Sequence, residues 1–374
     1  MKDGLRVAWL GHQTAALGGG MATYSNETIA RLRLRGVRVT FFHHEGKEKT
    51  GVDPAGDEVE LAAVPIMRSL VLSPPSARRA LVQKLEGHAF DLVHASFWFS
   101  SLDFDLPRLC RRLGIPLLAT FHVAFDARLS LWGGLTGAAY RLYAPALAEC
   151  DRVIVFGSNQ RDLLAGLGVP KEKLSVLPNG VDVDKYSPGP PDWKRKVEAD
   201  RLFVYLGRLD AEKNVDDLLD AFLDVRPPPR TRLVVVGAGT ERRRLARRYK
   251  DPAILFTGHV TDEAERIAIL RAADAFFLPS SVEGLSLAML EAMGCGAATV
   301  ATDVGADGDA LRGAGIVLDP GELRAELRAA FRLLIENPWL VAHLGEAARR
   351  RAVERYSLER NVDGLVQLYE ELAR

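Results

Sequence analysis

Two glutamates eight residues apart, Glu283 and Glu291, stand in the segment PSSVEGLSLAMLEAMGCGAATVATDVG, with Gly284, Leu285 and Ser286 between them and a helix expected to begin near Leu287. Glu283 falls in a loop ahead of that helix and Glu291 inside it, so the two need not share a helical face. A loop carboxylate accepts hydrogen bonds from sugar hydroxyls, and the free N–H groups of a helix N-terminus hold phosphate. A second carboxylate one or two turns on reaches ribose hydroxyls. Taken singly, each glutamate reads equally as an exposed loop or helix residue. A glycosidase pair is a further alternative, because its catalytic separation is not legible in sequence.

Three other clusters carry chemistry. In LFVYLGRLDAEKNVDDLLDAF, Gly207, Arg208 and Lys213 lie between an apolar run and a helix. A guanidinium and an ammonium at a strand's carboxyl end suit a diphosphate, the alternative being two solvated surface cations. Gly18, Gly19 and Gly20 follow the first apolar run and are expected to form a loop that opens a helix, either a ligand loop or a plain turn. Gly237 and Gly239 begin a GxGxxG pattern that fails at Arg242, which argues against a dinucleotide-dependent oxidoreductase. The basic run from Arg242 to Lys250 has no interleaved aromatic residues to stack bases and reads as a solvated helix face, so no nucleic-acid partner is expected. His122 closes the apolar run IPLLATFH, where a histidine by itself reads as structural.

The elements that must position these residues recur in order. Strand-length apolar runs at Leu5 to Leu10, Val37 to Phe42, Leu92 to Ala95, Ile115 to Phe121 and Arg152 to Phe156 are followed by a second series. That series is Leu202 to Leu206, Arg232 to Val236, Ile254 to Phe256, Ala275 to Leu278 and Thr299 to Ala301. Helical patterns fall between them, as at Met21 to Arg35, Val215 to Val225, Glu241 to Tyr249, Glu263 to Ala272 and Leu287 to Met293. Continuous apolar strands imply parallel sheets covered on both faces, hence two doubly wound α/β domains. The proline-rich DKYSPGPPD near Asp184 to Asp192 marks the expected hinge. It divides a first domain, 1–186, from a second, 187–356, the two facing a cleft.

A length of 374 residues, 48% apolar and 26% charged, fits two soluble globular domains and excludes disordered, collagenous and coiled-coil classes. Forty-nine basic residues balance 49 acidic ones, which excludes a protein that coats nucleic acid or membrane with its whole surface. Cys110, Cys150 and Cys295 are too few and too scattered for a disulfide framework or a zinc knuckle, and a cytoplasmic setting follows as the expectation. The apolar run after Arg6 is far shorter than a signal-peptide core.

With these segments in order, the chain resembles the retaining GT-B glycosyltransferases of family 4 over most of its length. Glu283 and Glu291 fit the family's E-x7-E motif, and LEAMGCGAATVATDVGADGDAL resembles its continuation. GRLDAEKNVDDLLDAF is similar to the segment whose arginine and lysine grip the donor diphosphate, here Arg208 and Lys213. KLSVLPNGVDVDKYSP resembles the stretch closing the N-terminal domain, and the triple glycine resembles the loop over donor phosphate and sugar. RRRAVERYSLERNVDGLVQLYEEL resembles the C-terminal helix, 357–374, that crosses back onto the first domain. The resemblance turns His122 into the histidine near the transferred sugar and places Val260, Gly284, Leu285, Ser286 and Leu287 against the donor. Leu285-Ser286 replaces an aromatic-Gly pair, and Asp309 stands where glutamate is frequent, departures that bear on donor-sugar preference.

The resemblance implies transfer of a hexose from a nucleotide diphosphate sugar, UDP-hexose ahead of GDP-mannose, to an acceptor hydroxyl with retention and without a metal or other cofactor. Acceptor contacts are expected from Tyr24, Phe97, Trp98 and Phe99, which could stack on a sugar or form a core cluster. The segment 66–85, with Arg68, Arg78, Arg79 and Lys84 among apolar residues, could dock peripherally on an anionic membrane or be an ordinary surface helix and loop, and the acceptor is a lipid, such as a glycolipid or diacylglycerol, or a carbohydrate. A nucleotide-sugar epimerase and a non-catalytic nucleotide-sugar binding protein are the competing readings.

Overall fold

A computed structural model describes residues 4–11, 15–44, 57–65, 71–124 and 131–374. They fall into two compact units, each with its own sheet. The first holds the described residues up to Val123 with Gly134–Asn179 and Glu359–Arg374, and the second is built on Gly180–Leu358.

In the first unit the strands are β1 (Arg6–Gly11), β2 (Arg38–His44), β3 (Glu58–Leu61), the hairpin β4 (Val64–Pro65) with β5 (Val71–Leu72), β6 (Leu92–Phe97), β7 (Leu117–Phe121), β8 (Arg152–Val155) and β9 (Leu174–Val176). Apart from the hairpin they form one sheet in the order β3-β2-β1-β6-β7-β8-β9, with every pairing parallel. Helices α1 (Ala15–Leu34), α2 (Pro75–Gly87), α3 (Leu102–Leu113), α4 (Leu131–Glu149) and α5 (Ser158–Gly166) connect them. Residues β6 and β7 contribute are buried throughout, as continuous apolar runs in a doubly covered sheet require.

The second unit carries β10 (Arg201–Leu206), β11 (Thr231–Val236), β12 (Ile254–Gly258), β13 (Ala275–Leu278), β14 (Ala298–Thr302) and β15 (Ile316–Leu318), all parallel in the order β12-β11-β10-β13-β14-β15. Its helices are α6 (Asp192–Lys196), α7 (Val215–Asp224), α8 (Arg242–Arg248), α9 (Glu263–Ala272), α10 (Leu287–Gly294), α11 (Asp307–Leu311), α12 (Leu323–Glu336) and α13 (Pro338–Arg355), followed by α14 (Leu358–Leu372). Strand order reverses at β10 and β13, the switch point where such sheets open a crevice. Phe203 of β10 and Phe277 of β13 lie 5.7 Å apart, and Phe331 of α12 stacks on Phe277 at 4.3 Å. This apolar clamp fixes the two strands whose ends matter most.

Several expectations change. Gly18, Gly19 and Gly20 lie inside α1, not in a loop ahead of it, because the helix-favouring Ala15, Ala16 and Leu17 carry the helix back past them. The run 184–192, expected as the hinge, is fastened to the second unit: Arg349 donates to the carbonyls of Val183, Tyr186 and Gly294, and Arg271 to that of Ser187. The chain passes between units at Asn179–Gly180, seven residues before the expected boundary. The basic run is the exposed helix face expected, and Arg244 and Arg248 within it are ion-paired. Asp216 on α7 takes Arg244 and Arg248 from α8, while Asp220 and Asp224 take Arg324, and Asp224 also Arg328, from α12. Among the described residues no helix is long and apolar enough to cross a membrane.

The segment α14 belongs to the first unit from Glu359 on. Its Arg35 contacts, to Glu359 and Asp363, are exposed. Its buried anchor is Tyr369, whose hydroxyl shares a 2.6 Å hydrogen bond with His94 Nδ1 in β6, while His94 Nε2 meets Thr120 Oγ1 at 2.7 Å. Burial, reinforced by His122, pushes the His94 imidazole down to about 3, so it stays neutral. The unfolded chain takes up a proton near 6.5 that the native state refuses until far lower pH, so this contribution is present above about pH 6.5 and is lost as pH falls. Urea unfolding should therefore show stability declining from pH 6.5 downward. Tyr369→Phe, which strips a buried nitrogen of its partner, should lower stability by about 1–3 kcal/mol at neutral pH.

Candidate active site

The strand ends at the switch point of the second unit bring Lys213 and Glu283 together, with Arg208 on the adjoining turn. After β10 the chain turns through Gly207 and Arg208, and Tyr205 donates its hydroxyl to the Arg208 carbonyl. Gly237, beyond β11, has φ +141°, and a Cβ there would lie 1.8 Å from the Gly207 carbonyl oxygen. At Gly239 a Cβ would lie 2.3 Å from the Leu209 oxygen. The failed GxGxxG is thus a packing device: two backbones touch where a side chain would part them.

Asp210 is buried and accepts from the Thr240 N–H at 2.9 Å and its hydroxyl at 2.8 Å. Its other oxygen takes Arg208 Nη1, and Glu212 accepts from Arg208 Nη2 at 2.7 Å. The guanidinium is thus aimed by two carboxylates yet remains half exposed. Lys213 closes a 3-10 turn at Ala211–Lys213 and is buried, with Nζ 2.5 Å from Glu283 Oε1. Asn214, left-handed at φ 49°, donates to the Pro279 carbonyl and the Ser281 hydroxyl, each at 2.8 Å, and Ser281 N–H donates to the Glu212 carbonyl at 2.7 Å. The loop after β10 and the loop after β13 are one stitched surface.

On the β13 side, Glu283 and Gly284 lead into α10, where Ser286 is the N-cap and its hydroxyl accepts from the Met289 N–H at 3.3 Å. That cap leaves the first-turn amides of Leu287 and Ala288 as the donors available to an anion. Gly305 after β14, at φ +57°, lets the next loop close in, since a Cβ there would sit 2.2 Å from the Glu283 oxygen. The Ala306 N–H donates to the Gly284 carbonyl at 2.7 Å. Glu291 is buried inside α10, and its charge, after burial itself, raises the Tyr186 hydroxyl above the ordinary tyrosine range. Val260 and Leu285 are buried beside these loops' elements, with about a tenth or less of their surface exposed.

In the first unit His122 directly follows β7, half-buried, with Tyr24 edge-on at 5.3 Å and Phe156 at 5.2 Å. Tyr24 is itself buried, its hydroxyl pushed up by burial and held by Thr120, so it offers no surface to an acceptor. Phe97 ends β6 fully buried within 6.2 Å of Tyr143 and cannot stack on a sugar either. Trp98 and Phe99 are half-buried, and the Phe99 N–H donates to the Tyr143 hydroxyl. Sequence reasoning missed a small recess of about 20 Å³, room for little more than a water-sized group, at the carboxyl ends of β1, β2 and β6, lined by His43, His44, Ser96, Ser100 and Asp103 among apolar residues. Ser96 Oγ there is buried without a hydrogen-bond partner among the described residues, and burial pushes Asp103 up to about 7. The pair His43-His44 at the end of a strand was the signal available. Of 66–85, residues 66–70, with Arg68, lie outside the described residues.

Comparison with known proteins decides what this arrangement belongs to. Residues 18–185 match the family described as Glycosyltransferase Family 4, and residues 200–337 that described as Glycosyl transferases group 1. The chain is 30% identical over 412 aligned residues to D-inositol 3-phosphate glycosyltransferase of Rhodococcus erythropolis, spanning 98% of this chain and 91% of that one. The chain is a glycosyltransferase of family 4. It is also 28% identical to glycogen synthase of Mycobacterium tuberculosis, over 75% of this chain and 68% of the relative. Its fold matches Anabaena HepE, solved in complex with UDP, with a TM-score of 0.76 at 19% identity over 98% of this chain and all of that one. Sucrose-phosphate synthase from Thermosynechococcus elongatus matches with a TM-score of 0.78 at 20% identity over 98% and 99%. The glycosyltransferase therefore has the two Rossmann-like sheets of the GT-B fold.

The glycosyltransferase depends on close backbone approach at Gly237 more than at Gly313, which has φ +78° but only the end of the Arg351 side chain within 4 Å. Gly313→Ala should cost about 1–2 kcal/mol of stability from the left-handed backbone alone. Gly237→Ala should cost more than 2 kcal/mol, or about 4 in a rigid loop, because the Gly207 carbonyl must move; chemical denaturation of the two variants checks the order.

Proposed function

We propose that this glycosyltransferase transfers a hexose from a nucleoside diphosphate sugar, UDP-hexose in the first instance, to an acceptor hydroxyl with retention at the anomeric carbon. The observation that carries the reading is the buried Lys213–Glu283 pair beside the carboxylate-aimed Arg208, at the switch point of the second unit. The leaving diphosphate gains negative charge as the glycosidic bond breaks, and cations fixed beforehand stabilise that charge without reorganisation. Arg208 and Lys213 supply it, the Leu287 and Ala288 amides add donors, Glu283 holds sugar hydroxyls and Glu291 the ribose. To His122 we assign a part in the transfer step. Solution of a protein of the same fold with UDP and with UDP-glucose supports uridine as the base. These cations take the place a divalent metal holds in other transferases, so metal-independent turnover is expected.

The acceptor hydroxyl we assign to the first unit, with Trp98 and Phe99 as partly exposed contacts. A glycolipid or diacylglycerol is favoured by surface charge. Helix α2 turns Ala77, Leu81 and Leu85 inward, so its exposed Arg78, Arg79 and Lys84 contact a membrane by charge and not by insertion. Binding to vesicles containing anionic phospholipid should then weaken with salt and with Arg79→Glu plus Lys84→Glu. Sedimentation that ignores both would remove the membrane contact and leave a soluble carbohydrate acceptor.

Thermal shift with a panel of UDP-, GDP- and ADP-sugars, then nucleotide release with lipid and sugar acceptors and NMR of the product anomer, tests the reading. Lys213→Ala and Arg208→Ala should each lower kcat by about a hundredfold or more, as loss of transition-state charge stabilisation does. Glu291→Ala should raise donor KM, and His122→Ala should lower kcat with donor affinity kept. Donor conversion without an acceptor would make the protein an epimerase, binding without turnover a sugar-nucleotide binding protein. Transfer that survives both Lys213→Ala and Glu291→Ala would mean the site is misplaced.

A further inference from the structure

One carboxyl at the switch point has no part in the transfer just described. Asp307, the first residue of α11, is fully buried. Its Oδ1 accepts from the Ser286 N–H at 2.8 Å, at the cap of α10, and its Oδ2 is buried with no hydrogen-bond partner among the described residues. The main chain around it is locked: the Ala306 N–H donates to Gly284 and the Asp307 N–H to Val304.

The neighbouring charges leave Asp307 without a cation of its own. Asp303 and Asp309, beside it in the chain, are both answered by Arg312, at 2.9 and 2.6 Å. Lys213 is in contact with Glu283, and Tyr356, beyond α13, is neutral in the ordinary range and raised further by burial. One ammonium thus faces two carboxyls, and burial together with the Glu283 charge raises Asp307 well above the usual carboxylate range. A carboxylic acid keeps a carbonyl oxygen for the Ser286 amide. A carboxylate there would place a second negative charge at the helix end that must receive a diphosphate.

We propose that Asp307 is a positioning residue of the donor pocket, an uncharged acid that fixes the Ser286 amide and leaves Lys213 only one carboxylate to answer. The inference rests on the donor reading above. As Asp307 ionises, it repels the donor and draws Lys213 away from it, so donor affinity falls at alkaline pH; by linkage a bound diphosphate holds the proton on Asp307 more tightly.

Asp307→Asn, which keeps the acceptor oxygen and shape and cannot ionise, is the test. In the protein without nucleotide, the native state holds a proton that the unfolded chain has released above its ordinary carboxyl pKa, so wild-type stability falls with rising pH. Its melting temperature should drop relative to Asp307→Asn between about pH 5 and pH 9; parallel melting temperatures across that range would overturn the inference. With UDP as the probe in titration calorimetry, the two proteins should bind alike while Asp307 is protonated, and the wild type about fivefold or more weaker than the variant once rising pH ionises it. UDP binding with the same pH profile in both would overturn the role of Asp307 and leave the donor reading standing. Absence of binding by UDP, GDP and ADP to the wild type would overturn the donor reading and this inference with it.

Discussion

The contact on which the rest of the second unit depends is the nearly buried ion pair of Lys213 and Glu283. It spans the switch point, joining the turn after β10 to the loop after β13. Taking two charges out of water is unfavourable, and their attraction offsets this only when geometry and neighbouring hydrogen bonds are good. Those neighbours are present: Asn214 and Ser281 stitch the same two loops, and the Phe203, Phe277 and Phe331 clamp holds the strands beneath them. A pair so supported is a weak source of net stability and a strong source of position. Each partner, left alone, would be an unanswered charge in a site with little water.

Backbone proximity supplies the second constraint. Gly237, Gly239 and Gly305 each abut a carbonyl of a loop that carries a functional side chain, Gly207 and Leu209 in one case and Glu283 in the other. Loops that touch through their backbones hold cations and carboxylates at fixed separations without relying on long side chains. Asp210 extends the scheme, since a carboxylate gripped by Thr240 from the loop after β11 aims the Arg208 guanidinium from the loop after β10.

Much of this was legible in the residues. Strands buried on both faces read as apolar runs, and those of three to four residues at the sheet edges, β3, β9 and β15, were too short to show any period. Arg208, Lys213 and Glu283 were singled out because strand-end loops at a switch point are where such chemistry gathers, and the meeting of those loops brings the three together. The purpose of Gly237 and Gly239 was not, because the sequence shows a glycine without showing which carbonyl it faces. Gly18 to Gly20 were misplaced because glycine is permissive and the helix formers before them carry the turn. For Tyr24 and Phe97 the core alternative holds, because an aromatic residue in a helix or at a strand end looks the same in sequence whether it faces solvent or core. Asp307 and the recess at β1, β2 and β6 arise from juxtaposition of segments far apart in sequence, which no motif records.

A chain with 49 basic and 49 acidic residues fixes the two cations of its switch point through the distribution of its ion pairs. The arginines of α8 and α12 are matched against the aspartates of α7 along exposed faces, where pairs contribute little and salt screens them. Arg208 and Lys213 are also matched, but by carboxylates on loops fixed by backbone and buried hydrogen bonds. Their partners hold them in place, so on the proposed reading an arriving diphosphate would meet cations already oriented and compete with carboxylates for them. Affinity is then a difference between two sets of interactions, and selectivity for a diphosphate over a single carboxylate follows from its larger charge and its reach to both cations at once. Overall neutrality is thus repeated at the switch point, where Asp210, Glu212 and Glu283 answer Arg208 and Lys213, and on the proposed reading a diphosphate exchanges with those carboxylates.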